Sequence, residues 1–247
     1  MHASPWPERL YLVRHGESAG NVARDRAEAE HLERIDIATR DVDVPLSQTG
    51  EQQAAALGRA LAELPEAERP TVLWVSPYLR AQQTAEIALK AAGLTLPTVL
   101  DERLREREFG VLDGLTRRGI VAQFPDEAER RSRLGKFYHR PPGGESWSDV
   151  LLRLRAALDD LRRDCPDERV LVVAHQVVVL LGRYVVERMT EAEILEIDSA
   201  GDVANCAVTS YRRGDAAMEL VAFNDVSHLQ EQDAEVTAEP DVQAAPR

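Results

Sequence analysis

Two histidines carry the chemistry that this chain can perform, and each stands where an apolar run ends. The run at residues 10–13 leads into Arg14-His15-Gly16-Glu17-Ser18, with Asn21 three residues on, and the run at 170–174 ends on His175. Imidazole titrates near neutrality, so a histidine held rigidly beside an arginine can act as a nucleophile, a proton carrier or an anion receptor. A third run, 72–75, opens into Ser76-Pro77-Tyr78-Leu79-Arg80, where Ser76 can cap a helix whose first turn carries Arg80. An arginine at that end opposes the helix dipole and costs stability unless an anion lies beside it. Arg14, His15, Arg80 and His175 are thus expected to converge on one receptor for a tetrahedral dianion.

The elements that must position these residues alternate. Strand-like runs at 10–13, 72–75 and 98–100 are separated by helical patterns at 49–64 and 78–92, the first opened by Thr49 with Gln52 as a capping box and the second closed by Gly93. Ser146 and Asp149 cap a helix over 146–163 with an apolar stripe of Val150, Leu151, Leu154, Leu158 and Leu161. A continuous apolar strand at 170–174 and a returning helix at 176–186 follow, then a hairpin from 206–211 and 218–223. The expected fold is a single three-layer α/β/α domain with a mostly parallel central sheet, an antiparallel edge and a lid insertion. Its expected limits are 9–229, after an N-terminal lead at 1–8 and before an acidic, mobile tail at 230–247. Residues 23–45 and 111–140, the latter the lid, lack the rhythm and are expected as insertions over the carboxyl ends of the strands, where open α/β sheets bind ligands.

Composition narrows the partners. With 30 Lys and Arg against 43 Asp and Glu, the net charge is −13, which disfavours nucleic acid and anionic membrane surfaces. An anionic ligand must then be held by a local basic pocket. Cys165 and Cys206 are the only cysteines and fit buried thiols in a reducing cytoplasm; no histidine or cysteine spacing calls for a metal. Residues 1–9 lack the apolar core of a signal peptide, and no apolar run is long enough to span a bilayer. Outside the two strand ends, His2, His31, His139 and His228 read as solvated residues, with His139 the one to watch.

Taken together, Arg14 to Ser18 with Asn21, Pro45-Leu46-Ser47 with Gly50 and Gln53, the block from Ser76 to Ala85, and Ala174-His175 resemble the histidine phosphatase superfamily, the phosphoglycerate mutase-like proteins. The resemblance spans roughly residues 9–225. It implies that His15 forms a phosphohistidine, that Arg14, Asn21, Arg80 and His175 bind the phosphoryl group, and that no cofactor is needed. The leaving oxygen also needs a proton. Charge pattern alone does not choose among Glu102, Glu106 and Glu108; alignment with the family's block selects Glu106 as general acid, with Glu102 second. Gln176 departs from the glycine that many family members carry after this histidine.

Residues 130–140 hold Arg130, Arg131, Arg133, Lys136 and Arg140 without an acidic residue. They read either as a solvated helical face or as a lid that offers Arg133, Lys136 and His139 to a second anionic group on the substrate; residues 136–146 are similar to the matching region of fructose-2,6-bisphosphatase-type members. The form of the Arg80 block points to the phosphatase branch. The expected activity is hydrolysis of a small-molecule phosphate ester, with a 2,3-bisphosphoglycerate-dependent phosphoglycerate mutase as the nearest rival and a non-catalytic phospholigand-binding protein as the alternative of another class. A homodimer is compatible with the sequence without being specified by it.

Overall fold

Six strands form one sheet in the computed structural model, which describes residues 6–238. They are β1 (Arg9–Arg14), β2 (Val72–Val75), β3 (Thr98–Leu100), β4 (Arg169–Ala174), β5 (Val208–Arg213) and β6 (Met218–Asp225), in the order β3-β2-β4-β1-β5-β6. The first four in that order run parallel, while β5 and β6 add the antiparallel edge. β4 sits between β1 and β2, with Val172 opposite both Leu12 and Trp74. This register sets the ends of β1 and β4 side by side, Arg14 against Ala174, so that His15 and His175 leave the sheet as neighbours.

The helices are α1 (Ala19–Ala29), α2 (Gln48–Glu63), α3 (Leu79–Ala92), α4 (Arg117–Gln123), α5 (Pro125–Tyr138), α6 (Trp147–Asp164), α7 (Gln176–Val186), α8 (Glu191–Ala200) and the short α9 (Ser227–Gln230). Side chains alternate across the strands, and the two layers follow from that period of two. Leu10, Leu12, Trp74, Val170 and Val172 join the apolar faces of α6 and α7, whereas Tyr11, Val13, Leu73, Val75, Leu171 and Val173 join Leu57 and Leu61 of α2 and Ala81, Ala85 and Ala88 of α3. The central strands are buried on both faces, which is why they read as unbroken apolar runs. α2 and α3 touch closely enough that a Cβ on Gly58 would lie 2.2 Å from the Ala88 carbonyl oxygen.

The α6 capping box forms as its sequence indicates, and the stripe from Val150 to Leu161 is buried. Other local readings change. Ser47, not Thr49, caps α2, accepting from Gly50 N. The segment 23–45 begins inside a helix, α1, whose capping box pairs Ser18 with Asn21 in place of the usual glutamate or glutamine. α8 also lacks a strong apolar stripe, with Ile194 and Asp198 its buried residues. Residues 117–123 and 125–138 form two helices broken at Phe124: Pro125 opens α5 at its first turn, and Gly135 bends it through φ +78°.

The tail departs from expectation over its first residues. Gln53 Nε2 donates to the Glu235 carbonyl and to Thr237 Oγ1 at 2.9 Å each, and Asn205 N donates to the Thr237 carbonyl, so 235–237 are tied to the body. Residues 1–5 of the lead and 239–247 of the tail lie outside the described residues. Cys165 and Cys206 are buried free thiols. Contrary to the solvated reading, His139 and His228 are buried too. No helix among the described residues is long and apolar enough to cross a membrane.

Candidate active site

His15 follows the last residue of β1 and is 3% exposed. Its Nδ1 lies 2.7 Å from the Gly16 carbonyl oxygen, an acceptor only, so Nδ1 carries the ring proton and Nε2 keeps its lone pair. The turn is pinned from below. Gly16 N donates to Thr84 Oγ1, Glu17 N to Gln53 Oε1, and Ser47 Oγ to Glu17 Oε1, which gives Glu17 and Gln53 scaffolding roles. A Cβ on Gly16 would meet the Gly50 carbonyl at 2.6 Å and one on Gly50 would meet the Glu17 carbonyl at 1.9 Å. The Gly16 and Gly50 pairing in the sequence is therefore a close backbone crossing that side chains would block.

His175 caps α7 at the end of β4 and is fully buried. Its Nε2 lies 2.8 Å from Ser76 Oγ and its Nδ1 3.5 Å from Glu106 Oε2. The two histidine rings meet edge-on with centroids 5.2 Å apart. Burial, Arg80 and Arg14 hold His15 well below the ordinary imidazole value; burial, Arg80 and His15 do the same to His175. Both rings are neutral near pH 7, and a neutral imidazole is the nucleophilic form.

Two buried arginines flank this pair. Arg14 donates to Gln176 Oε1 at 3.0 Å and to the Val203 carbonyl at 2.5 Å, while Gln176 Nε2 donates to Asp202. The residue that departs from the family pattern thus orients an arginine. Arg80 donates through Nε to His15 Nε2 at 3.2 Å and through its terminal nitrogens to Asp41. Ser76 does not cap α3, whose N-cap is Tyr78; Ser76 Oγ accepts from Tyr78 N and turns to His175. Thr84 ties this block to β1 by donating to the Arg80 carbonyl while accepting from Gly16.

These groups open into a cavity of about 140 Å³. Arg14, His15, Asn21, Arg80 and Glu106 line it, as expected from the sequence, with His175 directly behind. Asn21 lies on the wall with Oδ1 committed to the Ser18 cap. The outer wall comes from Arg24, Ile35, Ile37, Asp41, Phe109 and Asp113, so the segment after α1 does cover the site. Charge pattern gave no signal for Arg24 or Asp41, because both sit in a run of mixed charge.

The basic segment of α5 does not reach the cavity. Lys136 Nζ is paired with Asp198 at 2.7 and 2.8 Å and lies over the Trp147 ring, His139 Nε2 is buried against Glu127 at 3.1 Å, and Arg133 is exposed away from the pocket walls. Arg130 and Arg140 pair with Glu127 and Asp149. Lys136, Arg130 and Arg140 are spent on carboxylates of α8, α5 and α6, His139 packs against Glu127, and Arg133 stays exposed outside the cavity. Glu102, the second choice for the acid, also stands outside the cavity.

A family model described as histidine phosphatase superfamily (branch 1) matches residues 10–226. The chain belongs to this superfamily. A 2,3-bisphosphoglycerate-dependent phosphoglycerate mutase of Rhizobium meliloti is 32% identical over 197 residues, covering 78% of this chain and 86% of the relative. Among solved structures, YhfR of Bacillus stearothermophilus superposes with a TM-score of 0.71 at 28% identity, covering 90% of this chain and 98% of that one. A mycobacterial glucosyl-3-phosphoglycerate phosphatase gives 0.67 at 27%, covering 88% and 99%.

In this member of the superfamily, the arrangement offers one uncharged ring nitrogen beside two guanidiniums, with the Glu106 carboxyl group 3.5 Å from His175. His15, Glu106 and His175 also present one ligand atom each within 4.8 Å of one another, the composition of a metal site among the described residues. The two guanidiniums beside them favour an anion over a cation in that space.

Proposed function

We propose that the protein hydrolyses a small phosphate monoester through a phosphohistidine on Nε2 of His15. The observation that carries this reading is the Gly16 carbonyl at His15 Nδ1, which leaves Nε2 as a lone pair aimed into a pocket that holds Arg14 and Arg80. The Nε2 lone pair attacks phosphorus as the bond to the ester oxygen breaks, and Glu106, protonated at that moment, gives its proton to the departing alkoxide. Water then attacks the phosphohistidine, Glu106 takes a proton back, and the phosphorus–nitrogen bond breaks to release phosphate. Arg14 and Arg80 supply planar donors to the equatorial oxygens, while His175, kept in place by Ser76, adds a donor where charge accumulates.

A mutase would use the same phosphohistidine and return the phosphoryl group to a second oxygen of the substrate. The identity to the Rhizobium meliloti mutase supports that second reading. Incubation with p-nitrophenyl phosphate and with 3-phosphoglycerate separates them. Hydrolysis predicts steady release of inorganic phosphate, lost in His15→Ala, without isomerised glycerate. Isomerised product with little phosphate would establish the mutase instead, and no turnover of either compound would leave a phospholigand-binding protein.

A further inference from the structure

The Arg80 guanidinium already holds an oxyanion supplied by the chain itself. Its Nη1 donates to Asp41 Oδ1 at 2.9 Å and to the Asp41 carbonyl at 2.7 Å, and Nη2 reaches Oδ2 at 3.3 Å. This is the forked geometry in which a guanidinium takes either a carboxylate or a phosphate. Asp41 opens a 3-10 turn, Asp41–Asp43, within the segment that gives Thr39 and Val44 to the pocket wall. Its side chain is 44% exposed, whereas that of Arg80 is 6% exposed. The arginine is therefore fixed and the carboxylate lies on the solvent side. The turn is closed by local bonds, Asp43 N to the Arg40 carbonyl and Val44 N to the Asp41 carbonyl.

We propose that Asp41 is an internal competitor for the substrate: its carboxylate occupies the donors of Arg80 that the transferring phosphoryl group requires, and each incoming oxyanion displaces it. The inference rests on Arg80 as a phosphate-binding residue in the reading above. A buried arginine without an anion is costly, so the resting pocket needs some partner for Arg80, and Asp41 is that partner. The phosphoryl group takes the Nη1–Nη2 edge that Asp41 holds; two negative groups do not share that one edge, so a bound phosphoryl group drives the carboxylate towards solvent. When phosphate leaves, the carboxylate returns. Asp41 thereby raises KM, weakens inhibition by the product and shortens the stay of inorganic phosphate. The opposite role, in which Asp41 merely aims Arg80 and remains in place, predicts effects of opposite sign.

The test uses the full chain and two tetrahedral oxyanions of similar shape, tungstate with two negative charges and perrhenate with one. Their dissociation constants are measured by titration calorimetry for the wild type, Asp41→Asn and Asp41→Ser, with thermal melts to verify folding; either variant suffices if the other fails to fold. Both anions are expected to bind about 10-fold more tightly to the variants, the worth of one charge-assisted hydrogen-bonded pair, and by similar factors, since the displaced group is the same for each. Unchanged or weaker binding overturns the proposal in favour of an aiming role, and tightening for tungstate alone overturns it in favour of repulsion by a carboxylate that stays. Turnover of p-nitrophenyl phosphate by the wild type is scored separately. Tighter binding in a protein that never hydrolyses the ester would defeat the phosphatase reading alone, and normal turnover without tighter binding would defeat the role of Asp41 alone.

Discussion

The Gly16 carbonyl oxygen stands 2.7 Å from His15 Nδ1, and this single contact decides which ring nitrogen is available to react. A carbonyl cannot donate, so the proton stays on Nδ1. The lone pair on Nε2 then receives the Nε–H of Arg80 at 3.2 Å, a bond that must yield when phosphorus approaches. The glycine matters for its backbone. Its place against Gly50 brings the carbonyl to the ring, which a side chain at either position would prevent.

In the first step Glu106 is needed only where the leaving group is poor. In Glu106→Gln, hydrolysis of an alkyl phosphate such as glycerol phosphate should fall ~10²-fold or more, the usual worth of a positioned general acid. p-Nitrophenolate needs no proton to depart, so the same variant should give a rapid burst of p-nitrophenol followed by slow turnover, because the second step still lacks its base. Rapid-mixing absorbance measurements check this. Equal losses on both esters without a burst would move the acid role elsewhere.

The buried histidines make stability depend on pH with a definite sign. Folding depresses the His15 and His175 values well below the 6.5 of a free imidazole. Below pH 6.5 the unfolded chain binds protons that the folded chain refuses, so stability falls as the pH drops through that region and continues to fall until the folded rings titrate. Above pH 7 these two groups contribute no pH dependence. Melting curves between pH 8 and 5 should show Tm declining below about 6.5, and a His15→Gln/His175→Gln double variant should decline less. A wild-type profile no steeper than that of the double variant would contradict the assignment.

Lys136 belongs to the body of the protein. Its ammonium pairs with Asp198 and covers the Trp147 ring, with the two charged side chains 15% and 11% exposed. Lys136→Ala should cost about 1–3 kcal/mol of stability by leaving Asp198 poorly solvated, with KM unchanged for mono- and bis-anionic esters alike. Arg133→Glu should alter neither quantity. A rise in KM confined to bis-anionic esters in either variant would restore the lid reading.

What the sequence made legible was whatever repeats locally or sits at an element's end. The runs at 72–75 and 98–100 became β2 and β3 residue for residue, and the parallel register then placed Arg14, His15, Arg80 and His175 together. The contacts that set their protonation and orientation were not legible, because they join residues far apart in the chain. Ser76 reads as a helix cap yet reaches His175 across 99 positions, and Gln176 reads as an intrusion yet orients Arg14. In the run of cations at 130–140 only the Lys136 partner is of this kind, Asp198 lying 62 positions away on another helix; Arg130 pairs with Glu127 three residues before it and Arg140 with Asp149 nine residues after it.

The central claim is a phosphorylated His15. Wild-type protein mixed with a phosphorus-labelled monoester and stopped in alkali within milliseconds should yield label that survives base, is released by acid, and maps by peptide mass spectrometry to His15; His15→Ala should take up none. Label absent from the wild type under turnover, or carried by another residue or retained in His15→Ala, would contradict the account.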